Sequence, residues 1–257
     1  DADRLQEVED YLWIAGHLPP ELAASLRQIA RHGEHPMATL QAITTLLALE
    51  PPAISLGRSP QEEEALIVAA RIPAAIATIY AALQDHPEHP YPASRRYGER
   101  YLQLLHGRQP SPIEVSVFES AQILQLDHGF NASTFTARVV TSTLAPATSA
   151  VAAAMGALYG PLHGAADQQA LEMALEVGEP ERAREFVAQC LATGRKVMGM
   201  GHREYRVVDP RSRMIRALAQ QVAQQPEHVK LLDVLSAVDE AFIEQTREKR
   251  RTLRANL

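Results

Sequence analysis

Apolar residues recur with the period of a helix along almost the whole chain. Leu5, Val8, Leu12 and Trp13 form one stripe, Leu22, Leu26 and Ile29 a second, and Leu40, Ile43, Leu46 and Leu47 a third. That spacing stacks side chains on one helix face, as a core-facing helix requires. Ser59-Pro60-Gln61-Glu62 and Ser111-Pro112-Ile113-Glu114 each put Ser at the N-cap, Pro at the first helical position and Glu where it reaches back to the cap. Asp209-Pro210 is a third start of this kind. Gly33, Gly107, Gly178 and Gly194 stand where helices should stop. Pro73 interrupts an apolar run and should break or kink its helix. The run His86-Pro87-Glu88-His89-Pro90-Tyr91-Pro92 must be a loop. Only Lys196 to Val208 alternates like a strand, and an irregular link explains it as well. The pattern predicts an all-α fold of about a dozen helices.

A length of 257 residues suits one large domain or two smaller ones with a real core. With 46% apolar and 22% charged residues the chain is not disordered. A net charge of −6 argues against a general polyanion binder, so no nucleic-acid partner is expected. One cysteine, Cys190, leaves no internal disulfide framework and no Cys-based zinc site, and fits a reducing compartment. The stretch from Val139 to Ala166 lacks Asp, Glu, Lys and Arg and is long enough to cross a bilayer. It is too rich in Ser, Thr, Gly and Pro for lipid, so it reads as buried soluble helix and no membrane partner is expected. Asp1-Ala2-Asp3-Arg4 does not open a signal peptide.

Most chemical motifs have a plain structural reading. His32/His35 and His86/His89 are spaced i,i+3 in Gly/Pro-rich turns without further ligands, so no metal is expected. Gly199-Met200-Gly201 is a lone G-x-G without a βαβ frame. Cys190 reads as a packed core residue, and the run from Arg247 to Arg251 as a solvated helix face. Three histidines keep different company. His128, His163 and His202 each have glycine alongside at a helix boundary, where backbone groups are free and a ligand can approach closely. With Arg206 and Arg211 they could form a site for an anionic carbonyl compound, since arginine holds carboxylates bidentately and imidazole polarises oxygen. Three separate helix-capping histidines are the competing reading.

Those segments resemble the citrate synthase family. Asp127-His-Gly-Phe-Asn-Ala-Ser-Thr-Phe-Thr-Ala-Arg138, Gly160-Pro-Leu-His-Gly-Ala-Ala166 and Met198-Gly-Met-Gly-His-Arg-Glu-Tyr-Arg206 followed by Asp209-Pro-Arg211 look like its three site segments, in its order. A weaker likeness runs from Trp13-Ile-Ala-Gly-His-Leu-Pro19 to Leu257 and is poorest between Tyr80 and Gly107.

The resemblance implies a citrate synthase-like multi-helical homodimer. Its large domain would include residues 1–165 and its small domain residues 166–257, with the rest of the large domain expected beyond residue 257. The implied reaction condenses oxaloacetate with acetyl-CoA, a cosubstrate, and then hydrolyses the thioester to citrate and CoA, with no cofactor permanently bound. His163 would donate to the thioester carbonyl as it becomes an enolate. His202 would hydrogen-bond the oxaloacetate carbonyl and act as an acid. His128 and Arg211 would hold oxaloacetate, Arg206 would reach a CoA phosphate, and the backbone at Val197 and Gly199 would meet the adenine end. Ser133 would orient His163. A cytoplasmic location is expected.

Three departures stand against full activity. The family usually has Glu where this chain has Gly129, and Gly-Gly-Ala-Asn where it has Gly164-Ala-Ala-Asp167. Its Asp base is expected beyond Leu257, so the 257 residues alone are expected to be inactive. Two further readings remain: a 2-methylcitrate synthase using propionyl-CoA, since one methylene is worth only about 1–3 kcal/mol, and a catalytically silent dimer that binds a CoA ester or dicarboxylate.

Overall fold

The computed structural model describes residues 2–33, 35–126, 129–161, 163–200 and 209–246. Among them are twelve α-helices: α1 (Ala2–Ala15), α2 (Pro20–His32), α3 (Pro36–Thr44), α4 (Pro60–Leu83), α5 (Tyr97–His106), α6 (Pro112–Gln125), α7 (Ala132–Thr141), α8 (Ala147–Tyr159), α9 (Ala165–Val177), α10 (Ala183–Thr193), α11 (Pro210–Val222) and α12 (Pro226–Thr246). No strand occurs among the described residues. Residues 195–199 are irregular, Met200 carries an isolated bridge, and the rest of the candidate strand lies outside the described residues.

The signed ends form as their chemistry requires. Ser59 and Glu62 make a reciprocal capping box on α4, with the Glu62 amide donating to Ser59 Oγ at 3.4 Å and the Ser59 amide to Glu62 Oε2 at 3.0 Å. Ser111 and Glu114 do the same for α6. Asp209 caps α11 through the Arg211 amide. Gly33, Gly107, Gly178 and Gly194 follow α2, α5, α9 and α10.

Pro73 does not break its helix, because α4 runs through it from Pro60 to Leu83. Proline has no N–H for the carbonyl four residues before it. That carbonyl belongs to Ala69, and it accepts a hydrogen bond from the Tyr97 hydroxyl at 3.0 Å. Pro73 itself is buried. A side-chain donor and close packing therefore replace the missing ladder bond.

Two compact units are present: Asp1–Val115 with His128–His163, and Ser116–Asp127 with Gly164–Leu257. The first packs Leu22, Leu26 and Ala30 of α2, Leu40 and Ile43 of α3 and Leu47 against Val68, Ala75, Ile79 and Ala82 of α4. α4 is long and apolar enough to cross a membrane by length and composition, yet most of its apolar window is buried inside the protein. The stripes were only partly right: Leu5, Ile29 and Leu46 are exposed, and Tyr11 and Ala15 carry the buried face of α1. Arg71, only 3% exposed, ties the end of α1 to the segment that follows α3. Its Nε donates to the Ala15 carbonyl at 3.1 Å, Nη1 to Leu47 at 2.7 Å and Nη2 to Glu50 at 2.8 Å. The second unit centres on Met173, Ala174 and Val177 of α9, Val187 and Cys190 of α10, and Val234, Val238 and Phe242 of α12. Cys190 is a core residue there, and burial raises its thiol pKa.

The uncharged stretch is not the buried helix the sequence predicted. It divides between α7 and α8, α7 buries none of its residues, and α8 buries only Thr148, Ala150 and Ala152. α8 is positioned from its start. Glu64 of α4 accepts the Ala147 amide at 2.9 Å and the Thr148 hydroxyl at 2.8 Å, placing a carboxylate at a positive helix end.

Candidate functional site

His163 lies in the turn after α8, and its amide donates to the Gly160 carbonyl at 2.9 Å. α7 and α8 are rich in Ala, Ser and Thr, so a short side chain on one reaches the backbone of the other. Asn131 starts α7 as its N-cap, accepting the Thr134 amide at 2.9 Å. Two residues later, Ser133 points at α8. Its hydroxyl donates to the Ala154 carbonyl at 3.0 Å and lies 2.9 Å from His163 Nε2. The structure thus brings Ser133 and His163 together, with Nε2 held and Nδ1 turned elsewhere on the ring. His163 is partly exposed, as a group that meets a ligand must be.

In the second unit, Arg211 stands in the first turn of α11. Asp209 takes its Nε at 3.0 Å and its Nη2 at 2.6 Å, and Asp209 is only 3% exposed. A buried carboxylate therefore fixes the guanidinium. Val197 is a core side chain, so only its backbone is available to a ligand. The Met200 amide closes a turn onto the Val197 carbonyl at 3.3 Å, with Gly199 at φ +79°. His128, His202 and Arg206 lie outside the described residues.

Two of the three departures fall among the described residues. Gly129 has φ +62°, a left-handed conformation that side-chain-bearing residues rarely adopt, although a Cβ there would meet open space. Asp167 is exposed in the first turn of α9, where a negative charge suits the helix dipole. Among the described residues no three His, Cys, Asp or Glu side chains converge as a metal site. Sequence reasoning missed two groups: the Asn131 cap of α7 and the Ala154 carbonyl that accepts from Ser133. Asn131 was readable, as an Asn directly before a helix-forming run. The Ala154 carbonyl was not, because a backbone acceptor leaves no mark on residue type.

Comparison with known proteins decides the family. The family model for the citrate synthase C-terminal domain matches residues 1–257. The chain belongs to the citrate synthase family. It is 35% identical over 221 residues to citrate synthase 2 of Bacillus subtilis, which covers 85% of this chain and 59% of that protein. It is 34% identical over 200 residues to a 2-methylcitrate synthase of Mycobacterium tuberculosis, covering 78% and 51%. Its fold matches the ternary complex of carboxymethyl coenzyme A and oxaloacetate with citrate synthase from Thermoplasma acidophilum, with a TM-score of 0.88, 25% identity, and coverage of 100% of this chain and 67% of that one. The chain thus spans between half and two thirds of the length of these citrate synthase relatives.

Proposed function

We propose that this chain carries the substrate-handling part of a citrate synthase, which joins the acetyl group of acetyl-CoA to oxaloacetate and hydrolyses the resulting thioester. A thioester α-proton is weakly acidic, so its removal needs a donor aimed at the developing enolate oxygen. His163 supplies that donor. The observation that carries this reading is its ring held at Nε2 by Ser133, which leaves Nδ1 for a ligand. His202 polarises the oxaloacetate carbonyl and protonates it, while His128 and Arg211 hold its carboxylates. Arg206 and the backbone at Val197 and Gly199 take the CoA phosphate and adenine. Residues 1–165 act as large domain and 166–257 as small domain, and nothing is bound permanently as a cofactor.

Support for the reaction comes from the family match across the whole chain and from the ligands named for the Thermoplasma neighbour. Propionyl-CoA is the alternative acyl donor, favoured by the 2-methylcitrate synthases among the relatives. The retained His163, His202 and Arg211 oppose the silent-dimer reading. The chain works as a homodimer, and the exposed apolar face of α7 supports this. Its single cysteine supports a cytoplasmic location. Titration calorimetry with oxaloacetate and then acetyl-CoA or propionyl-CoA tests the reading. Oxaloacetate should raise the affinity for one of them, and by linkage that ester should raise the affinity for oxaloacetate equally. Independent binding, or none, overturns it.

A further inference from the structure

The first unit contains a cavity of about 200 Å³, lined by residues of the turn after α1, of α2, α4 and α5, and of the 86–92 loop. None of them belongs to the sites described above, and the loop lies in the stretch where the family likeness is poorest. That volume has room for on the order of seven waters. Drug-sized pockets run to roughly 300–1,000 Å³, so a ligand here is small. Leu18, Ala74, Ala77 and Leu104 give the cavity apolar walls. Its polar side chains have mostly spent their donors. The Tyr91 hydroxyl donates to the Trp13 carbonyl at 3.1 Å, and the Thr78 hydroxyl to Glu88 Oε2 at 3.0 Å. His17 Nδ1 lies 3.1 Å from the Trp13 carbonyl, which can only accept. Nδ1 therefore carries a proton, and the neutral ring offers Nε2 as an acceptor. Stacking on Tyr91, with ring centroids 3.7 Å apart, holds that ring in place. His89 is the one lining side chain with a donor left. It is seated by Gly107, where a Cβ would come within 2.3 Å of the ring. Glu88 is the one carboxylate of the lining, which has no Lys or Arg. Arg27 comes no closer than 3.6 Å to Glu88, and a pair of that length between partly exposed groups is weak.

We propose that this cavity binds a small organic cation, a primary ammonium on a short alkyl chain. An ammonium brings only donors, and the lining leaves open mainly acceptors: the Glu88 carboxylate, the Thr78 oxygen and His17 Nε2. Its charge-assisted bond to Glu88 is the strong contact. The alkyl chain lies along Leu18, Ala74, Ala77 and Leu104, which removes it from water. A metal ion does not fit, because among the described residues no three His, Cys, Asp or Glu side chains converge. An anion does not fit either, since it would meet Glu88 with only His89 to donate. The cavity shares no residue with the acyl-CoA site, so either reading can fail alone.

The probe is n-pentylammonium, with pentanol and pentanoate as neutral and anionic chains of equal length. Nitrogen-15 amide spectra and titration calorimetry of the folded protein read the binding. At millimolar concentration n-pentylammonium should move the amides of His17, Thr78, Glu88 and Tyr91. Pentanol should bind about tenfold or more weakly than the ammonium, because it lacks the charged bond to Glu88. Pentanoate should leave those amides in place. Glu88→Gln keeps an acceptor for the Thr78 hydroxyl and removes the charge, so it should weaken n-pentylammonium about tenfold or more. Equal affinity for the ammonium and the alcohol, binding of pentanoate at these amides, or unaltered affinity in Glu88→Gln overturns the proposal. So does a native protein in which n-pentylammonium moves none of the four amides. If circular dichroism shows that Glu88→Gln has lost its fold, the comparison of the three probes on the native protein decides alone.

Discussion

The Tyr97 hydroxyl donates to the Ala69 carbonyl, the one acceptor in α4 that Pro73 deprives of its ladder partner. Tyr97→Phe removes that donor and should lower stability by about 1 kcal/mol, since water can replace only part of the bond. Burial raises the Tyr97 pKa to about 12, so the hydroxyl keeps its proton at any working pH. Restoring the backbone N–H with Pro73→Ala should erase the Tyr97→Phe loss. A double-mutant cycle in urea checks this, and additive losses would show that the two residues are not coupled.

Acid should unfold the chain partly through Glu63. Its carboxylate accepts the Tyr11 hydroxyl at 2.8 Å, the Ser55 hydroxyl at 2.8 Å and the Leu56 amide at 2.7 Å. The Tyr11 bond, aided by Ser55 and the amides, lowers its pKa from 4.5 to about 2. A carboxylate whose folded pKa is depressed stabilises above its unfolded pKa and loses that contribution as pH falls through its folded one. The loss should therefore fall between about pH 4.5 and 2. Glu114, lowered to about 2 by Arg108, adds to the same limb. Glu63→Gln should be less stable at neutral pH and show a shallower decline across that window. Urea midpoints measured from pH 7 to 2 check it, and parallel curves would reject it.

How much was legible depended on where the information resides. The Ser59, Ser111 and Asp209 starts were readable because a cap is a local bargain between a side chain and the next few amides. The fate of Pro73 was not, because its remedy lies 24 residues later in Tyr97 (97 − 73). Leu46 and Ile29 misled because periodicity shows a face without showing how wide the covered part is. Val139 to Ala166 misled in another way: absence of charge was read as burial, yet Leu144 is 89% exposed. At the site, the residue types and their order pointed to His163 and Ser133. That the Ser133 hydroxyl also reaches the Ala154 carbonyl needed coordinates.

The two site arms should separate by what each substitution damages. In a protein that turns over, His163→Ala should lower kcat by about 10²–10³, as loss of an oxyanion donor does, and spare oxaloacetate affinity. Arg211 needs a gentler change, because Arg211→Ala would take the paired guanidinium away from the buried Asp209 carboxylate. Arg211→Lys keeps the charge and loses the fork, and should weaken oxaloacetate on the order of tenfold to a hundredfold. Thiol-release kinetics and calorimetry separate the two. Near-normal turnover in His163→Ala, or unchanged oxaloacetate affinity in Arg211→Lys, would remove that residue from its role.

The last prediction concerns the face of α7. Phe135 and Val139 lie four residues apart on one stripe, each more than half exposed, and Phe130 packs edge-on against Phe135 with ring centroids 5.7 Å apart. Leu144, just beyond, holds φ +63°, a costly conformation for a residue with a side chain, while presenting that side chain to solvent. Contiguous exposed apolar surface of this kind marks an interaction site. A two-fold mate would cover it with the same surface, and each substitution would then count twice. Burying a Phe is worth about 1.5–3 kcal/mol, so Phe135→Asp should weaken the dimer by on the order of a hundredfold or more, before any cost of burying the new charge. Light scattering at micromolar concentration should give about twice 28.2 kDa for the native chain and 28.2 kDa for Phe135→Asp. Helical content should be unchanged by circular dichroism, because Phe135 contributes nothing to the monomer's buried core. A native monomer at every concentration would leave this apolar face without the partner argued for it.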